Sequence, residues 1–158
     1  MLKVIPYRQS SGWCGAAVLK MVLGYYGIDR TESELGMLCG GSKESGISGE
    51  MIINVARNFG FRTELKDLAS ISEIKDYLRL GIPVIVDWFY DDDGHYSVVV
   101  NVDEENIYLQ DPSLGHLKAM RLKVFERVWF DFLGSRMETK EDLILRRLIV
   151  IAPNQGSS

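Results

Sequence analysis

The chain has 158 residues, 46% of them apolar and 25% charged, which is ordinary for one globular domain with a buried core. Its net charge of −4 argues against a nucleic-acid-binding protein, since that class is usually basic, and no segment approaches the ~20 apolar residues of a membrane-spanning helix. Two cysteines do not form a disulfide framework in a domain of this size. The sequence therefore predicts a soluble intracellular protein, with residues 1–152 as a single domain and 153–158 as a disordered tail.

The first patterned stretch, 9–27, is predicted to be a loop followed by an apolar helix, after a short edge strand over 2–7. Cys14 begins this helix and Gly27 ends it, with apolar residues recurring every three or four positions between them. A helix N-terminus offers unpaired backbone N–H groups and a positive dipole end, which favour the nucleophilic thiolate. Gln9 carries a side-chain amide that can donate toward the same place. A buried structural cysteine is the competing interpretation.

The rest of the first half is predicted to be mainly helical. Thr31 caps a second helix, with Glu34 at the capping-box position, and Ser48 begins a third. Between the first helix and the sheet, the patterns predict helices over 31–38, 48–60 and 72–80 and a short strand over 61–66.

The second half is predicted to be mainly strands. The run 82–88 is continuously apolar and indicates a strand that is buried on both faces. Further strands are predicted over 95–102, 107–111 and 148–152, with one more helix over 122–132. Helices followed by an antiparallel sheet are typical of an α+β fold.

His95 and His116 are the only histidines available as a general base. His116 follows a turn and is predicted to be a surface residue, whereas His95 begins a strand whose hairpin partner ends at Asp111. A three-residue turn over 103–105 would set Ser97 opposite Asp111, with His95 diagonal to it on the same face. A two-residue turn would put His95 on the other face. The apolar alternation does not choose between these registers.

These residue types suit a cysteine hydrolase. The Cys14 thiolate would attack a carbonyl, His95 would protonate the leaving amine, and Asp111 would orient the imidazole. The side-chain amide of Gln9 and the backbone N–H of Cys14 would stabilise the developing oxyanion.

The order of these motifs resembles the bacteriocin-processing peptidases, which are papain-like cysteine peptidases that remove double-glycine leaders. The matching positions span nearly the whole chain: Gln9, Cys14-Gly15, Tyr25-Tyr26-Gly27, His95-Tyr96, Val98-Val99 and Asp111-Pro112. The resemblance implies a papain-like α+β fold, with an N-terminal helical half followed by an antiparallel sheet. It also implies Cys14 as nucleophile, His95 as base, Asp111 as orienting carboxylate and Gln9 as oxyanion-hole amide, with no cofactor.

The resemblance further implies a peptide or precursor-protein substrate that is cut after Gly-Gly. In the best-known members, this domain is the cytosolic N-terminal part of a peptide-exporting ABC transporter. A stand-alone relative or an excised domain of that kind is therefore expected here, in the cytoplasm and associated with the membrane only through a transporter partner. Trp13 departs from the family pattern, because those transporter domains usually carry an Asp before the Cys.

Two other functions are compatible with the same residues. One is a non-catalytic module that binds leader peptides, although loss of the cysteine is its usual sign and Cys14 is present. The other is a papain-like acyltransferase or deamidase, which would use the same triad on a different acyl group. Other candidate residues are predicted to be structural: Cys39 in the core or a loop, 91–94 as a solvated turn, and the aromatic run 88–90 mainly in the core.

Overall fold

The computed structural model describes residues 1–10, 13–42, 46–91, 93–132 and 136–154. Five helices lie in these ranges: α1 (Cys14–Tyr25), α2 (Glu32–Cys39), α3 (Gly49–Asn58), α4 (Ile71–Arg79) and α5 (Leu122–Val128). Eight strands accompany them: β1 (Arg62–Lys66), β2 (Val84–Tyr90), β3 (Asp93–Val102), β4 (Asn106–Asp111), β5 (His116–Arg121), β6 (Phe130–Phe132), β7 (Leu143–Leu145) and β8 (Arg147–Ala152). A 3₁₀ turn, Lys140–Asp142, precedes β7.

Six strands form one antiparallel sheet in the order β1-β8-β2-β3-β4-β5, and β6 pairs with β7 separately. Side chains alternate along the central strands, so that Ile85 and Val98 face a core shared with α1 and α3. Val86 and Val99 face the opposite core, shared with α4 and α5. Because both faces are covered, the middle segments of the central strands are apolar, as in Val84–Val86 of β2 and Val98–Val100 of β3. The predicted α+β class is confirmed.

Serine and threonine caps fix where three helices begin. Thr31, Ser48 and Ser70 each accept a hydrogen bond from the backbone N–H three residues further along, as N-caps do. Gly40 ends α2 in the left-handed conformation, at φ 76°. The predicted starts at Thr31 and Ser48 are therefore confirmed, while the cap of α4 is Ser70, slightly before the predicted start.

A β-bulge sets the register of the β3–β4 hairpin. Val102 pairs with Ile107, but Val99 pairs with Leu109, so Val100 is an extra residue on β3. Beyond the bulge, the pairing of Val98 with Gln110 is the register that sets Ser97 opposite Asp111. The predicted register at the site is therefore present, although the bulge produces it rather than a three-residue turn.

The predicted edge strand over 2–7 is absent, and these residues form an extended N-terminal arm along the sheet. The backbone N–H of Leu2 donates to the carbonyl of Val100 over 3.0 Å. Gln110 Nε2 donates to the carbonyl of Val4 over 3.1 Å. The bulge and one side chain therefore hold the arm without a ladder of backbone pairs.

The predicted helix over 122–132 is too long. The helix α5 ends at Val128, and Trp129 turns its indole Nε1 to the carbonyl of Arg147 over 2.9 Å. The chain then forms β6, and β5 precedes the helix as a further strand of the main sheet. Positions 155–158 of the predicted tail lie outside the described residues. In the described part of the chain, none of the helices has the length and apolar character needed to span a membrane.

Candidate active site

His95 and Asp111 are in direct contact. His95 Nε2 lies 2.5 Å from Asp111 Oδ1, and both side chains are almost completely buried. The same carboxylate oxygen accepts from the backbone N–H of Ser113 over 3.0 Å and from its hydroxyl over 2.9 Å. The hairpin register supplies the first contact and the turn after β4 supplies the other two. Ser113 carried no signal in the sequence.

The hydrogen bonds to Asp111 determine which nitrogen of His95 is available. Burial disfavours the charged carboxylate, but the bonds from His95 and Ser113 outweigh this effect and lower the pKa of Asp111. An ionised carboxylate can only accept, so Nε2 of His95 carries the proton that it donates. In the neutral imidazole of His95, Nδ1 therefore carries no proton and is the nitrogen that can accept one.

Cys14 begins α1 and lies against the strand that carries His95. The backbone amide of Tyr96, the residue after His95, is positioned to hydrogen-bond the thiolate, as is the amide of Gly15. In the part of the chain that the structure describes, the thiol makes no hydrogen bond to the His95 ring. The structure therefore brings the sulfur to the backbone next to His95, without a hydrogen bond between these two described side chains.

The helix N-terminus favours the thiolate as expected, because the backbone amide of Gly15 lowers the pKa of Cys14, but burial outweighs this effect. Burial raises the pKa of the Cys14 thiol to about 11, and the nearby carboxylates of Asp87 and Asp93 act in the same direction. The two backbone amides oppose these effects but are weaker. The resting side chain is therefore a protonated thiol.

Asp87 lies near Cys14 and is paired with a second acid, the half-buried Asp131. Asp87 is 2% exposed. Burial and the neighbouring Asp131 raise the pKa of Asp87 far above its usual range, although Arg147 opposes the shift. Asp131 lies over the backbone of Gly94, where a Cβ atom would come within 2.2 Å of its carboxylate. A proton retained on Asp87 allows the two carboxyl groups to lie close together. The sequence analysis identified neither residue.

Gln9 is tied to the turn that follows Asp111. Its backbone N–H donates to the carbonyl of Pro112 over 2.8 Å, and its side-chain Oε1 is buried without a hydrogen-bond partner among the described residues. Ser10 accepts from the backbone N–H of Trp13 over 3.2 Å. Gln9 is therefore held next to the turn that follows Asp111.

Aromatic side chains enclose His95. The ring of Trp88 lies 5.6 Å from that of His95, and the ring of Tyr90 lies 5.3 Å from it. Trp88 Nε1 donates to Ser97 Oγ over 3.0 Å, which fixes the indole. Trp88 is buried as predicted, and it also forms a wall of the site. Phe89 faces away and stacks on β6.

The remaining candidates lie apart from this cluster. His116 is exposed, and its Nδ1 lies 3.0 Å from the carbonyl of Leu117. Cys39 is a free thiol in the core, in agreement with the predicted structural role. No group of three or more metal-ligating side chains occurs within the described ranges.

Comparison with known sequences identifies one family. The model of the Peptidase C39 family matches residues 3–134. An uncharacterised protein of Methanothermobacter marburgensis is 36% identical over 138 residues, which cover 85% of this chain and 89% of the relative. An uncharacterised protein of Methanothermobacter thermautotrophicus is 35% identical over 127 residues, which cover 80% of this chain and 83% of the relative.

Solved structures share the fold. The peptidase domain of Streptococcus ComA, a bifunctional ABC transporter of a quorum-sensing pathway, matches with a TM-score of 0.72 at 24% identity, covering 98% of this chain and 100% of that domain. A double glycine motif protease from an AMS/PCAT transporter, solved with its leader peptide, matches with a TM-score of 0.72 at 21% identity, covering 98% and 93%. A C39-like peptidase from Bacillus anthracis gives 0.71 at 16% identity, covering 95% of each chain.

Proposed function

The chain belongs to the peptidase C39 family, and on that premise we propose that it cleaves a peptide substrate through Cys14, His95 and Asp111, with Gln9 in the oxyanion hole. The contact between His95 and Asp111 carries this assignment, because it leaves a basic ring nitrogen on the residue next to the amide that faces the Cys14 sulfur. We further propose that residues 1–152 form one peptidase domain.

The raised pKa of Cys14 determines how the first step proceeds. His95 Nδ1 takes the thiol proton as the sulfur attacks the peptide carbonyl, so that a C–S bond forms and the carbonyl electron pair moves onto oxygen. The Gln9 amide and the Cys14 backbone N–H stabilise that oxyanion. Asp111 stabilises the imidazolium, which then gives its proton to the leaving amine as the C–N bond breaks.

The second step releases the acyl group. Water attacks the thioester while His95 removes its proton, and the collapse of this second tetrahedral intermediate breaks the C–S bond. The imidazolium returns the proton to the leaving sulfur, so the enzyme ends in its resting protonation state. An acyltransferase would differ only in the acceptor, which would be an amine or thiol instead of water.

We propose a leader that ends in a Gly-Gly-type site as the substrate. The support is the fold shared with a double glycine motif protease whose structure contains a leader peptide, together with the match of the family model. A peptide-exporting ABC transporter is the partner that fits such a substrate, and the cytoplasm is the compartment in which a leader would meet both proteins. Trp13, in place of the usual Asp, is a departure from the family pattern that bears on the identity of the substrate and not on the type of reaction.

Mass spectrometry of candidate Gly-Gly precursor peptides after incubation with the protein tests the proposal. The expected result is two products whose masses add up to the precursor plus one water, with the new carboxyl group on the second glycine. Peptide binding without turnover would indicate the binding module instead. Faster consumption of an added amine or thiol acceptor than of water would indicate the acyltransferase.

Substitutions then test the roles of the four residues. Cys14→Ala and His95→Ala should each abolish turnover, and the double variant should lose little more, because they act as one unit. Gln9→Ala should lower kcat by ~10²–10³, since a backbone donor remains. Asp111→Asn should lower kcat by more than Gln9→Ala but by less than Cys14→Ala or His95→Ala. Cys39→Ala and His116→Ala are the matched controls. An inactive His116→Ala beside an active His95→Ala would overturn the assignment.

A further inference from the structure

Glu32, the first residue of α2, is a buried carboxylate that the proposed mechanism does not use. Glu32 is only 7% exposed. Oε2 accepts the backbone N–H of Ser10 over 2.8 Å, and Oε1 lies 3.5 Å from the hydroxyl of Tyr7. These partners flank Gln9 on either side in the sequence. The carboxylate therefore joins α2 to the segment that carries the Gln9 amide.

The local structure of α2 does not require this carboxylate. Thr31 already caps the helix, with its side chain accepting the backbone N–H of Glu34 over 3.1 Å. None of the ion pairs among the described residues includes Glu32. A buried charge is costly unless hydrogen bonds compensate for it. At Glu32, both compensating donors belong to the segment around Gln9.

The protonation of Tyr7 is consistent with an anionic Glu32. Burial raises the pKa of Tyr7, and the charge of Glu32 raises it further. The phenol therefore stays protonated and able to donate. The two oxygens of Glu32 thus have different donors, one a backbone amide and the other a side-chain hydroxyl, which together restrict both translation and rotation of the segment.

The opposite side of the segment is fixed by the turn after Asp111. Gln9 donates its backbone N–H to Pro112, and Arg8 packs on Gly115, where a Cβ atom would come within 2.7 Å of Arg8 Cβ. Gln9 is therefore held between the Asp111 turn and Glu32. If Glu32 were lost, the side toward α2 would be free to move while the other side stayed attached.

We propose that Glu32 is a positioning residue, which holds the Gln9 amide in place for oxyanion stabilisation through the backbone of Ser10 and the hydroxyl of Tyr7. This inference rests on the proposed peptidase function and adds a residue to it. Oxyanion donors contribute only when they are fixed before charge develops. Loss of the Glu32 carboxylate should therefore lower kcat and leave KM nearly unchanged, because the hydrogen bond from the Gln9 amide to the oxyanion gains its full strength in the transition state.

The test is a double-mutant cycle with Gln9. Glu32→Ala should lower kcat by ~10–10²-fold, the size expected when a catalytic group is displaced by about 1 Å. In the Gln9→Ala background, the same change should lower kcat by no more than about twofold, because the group that it positions is already absent. Glu32→Gln keeps one acceptor oxygen and should recover part of the loss. Glu34→Ala, which removes a half-exposed acid from the same turn, is the matched control.

The outcomes separate this inference from the proposed function. If Glu32→Ala lowers kcat by the same factor with and without Gln9, or raises KM alone, the positioning role is wrong and the peptidase function stands. Unfolding temperatures, measured for all four proteins of the cycle, distinguish a general loss of structure from a local effect. A parent protein without turnover would overturn the proposed function and this inference together.

Discussion

Two protonated groups lie close together at the site: the thiol of Cys14 and the carboxyl group of Asp87. If Asp87 and Asp131 both ionised, the buried Asp87 would carry a negative charge next to that of the half-buried Asp131, so Asp87 retains its proton. When Asp87 is neutral, the Cys14 thiol has one negatively charged neighbour fewer. Its replacement by an uncharged residue of the same shape should therefore be tolerated.

Asp87→Asn should change how stability depends on pH. The pKa of Asp87 is raised in the folded protein, whereas in the unfolded chain it is ~3.9. Above that ordinary value, the folded state holds a proton that the unfolded state has released, so the free energy of unfolding falls as pH rises until the raised pKa is passed. The unfolding temperature of the parent should fall from about pH 5 to about pH 8 more steeply than that of the variant.

Asp91→Asn is the control for this measurement, because Asp91 is an exposed acid on the nearby turn. Its unfolding temperature should follow that of the parent at every pH. Equal slopes for the parent and Asp87→Asn would show that Asp87 does not retain its proton in the folded protein.

The sequence was sufficient to find the residues whose chemical type identifies them. Two histidines and one cysteine at a helix start leave few choices, and the hairpin brings Asp111 to His95. Glu32 and the Asp87–Asp131 pair could not be found in this way, because their significance comes from contacts between distant parts of the chain. The protonation of the Cys14 thiol could not be predicted for a related reason: the helix end is visible in the sequence, whereas burial of the sulfur is not.

At the scale of secondary-structure elements, the packing between the start of α1 and α2 depends on Gly36. The ring of Trp13, directly before Cys14, lies over Gly36, where a Cβ atom would come within 1.1 Å of the indole. This side chain stands where transporter domains of the family usually carry Asp. The absence of a side chain at Gly36 therefore allows Trp13 to pack against α2.

Gly36→Ala should destabilise the protein despite the better helix propensity of alanine. The indole would have to move, and overpacking of this kind costs ~1–3 kcal/mol. Gly24→Ala in α1 is the matched control, because its Cβ atom meets nothing within 4 Å and should stabilise by ~0.5–1 kcal/mol. Thermal unfolding of both variants measures the difference. A stabilised Gly36→Ala would show that Trp13 does not occupy this position in solution.

Elements with clear apolar periodicity or caps were predictable, and the others were not. The four N-terminal helices and the strands β2, β3 and β8 have such signals. The strand β5 reads HLKAMR, with little apolar alternation, so it resembled a loop. In the predicted helix over 122–132, Trp129 and Phe132 fit the helical period set by Phe125, but the indole turns to β8 instead. Periodicity alone cannot detect where a helix stops while its apolar pattern continues.

Across the whole molecule, one sheet separates two cores, and each core depends on the same strands. Leu19 in α1 is fully buried on one side, and Phe125 in α5 is fully buried on the other. The central strands β2, β3 and β8 contribute side chains to both cores. Loss of either core should therefore destabilise the other.

Leu19→Ala and Phe125→Ala should each lower the unfolding temperature of the entire protein. The expected costs are ~2–5 kcal/mol for the leucine and ~3–5 kcal/mol for the phenylalanine. Trp88 and Trp129 lie in the α5 core, so tryptophan fluorescence and far-UV circular dichroism should give coincident transitions in every variant. Leu80→Ala, at a residue that is 74% exposed, is the control. Separate transitions would indicate two folding units.

The strand order also bears on how the protein behaves at high concentration. The sheet ends at β1 and β5, and exposed strand edges are sites where a second copy can add a strand and begin aggregation. The strand β1 presents Arg62, Glu64 and Lys66 to solvent, and β5 carries Lys118 and Arg121. Charged side chains of this kind oppose intermolecular strand pairing. The polar pattern that obscured β5 in the sequence therefore protects the sheet from growing into larger assemblies.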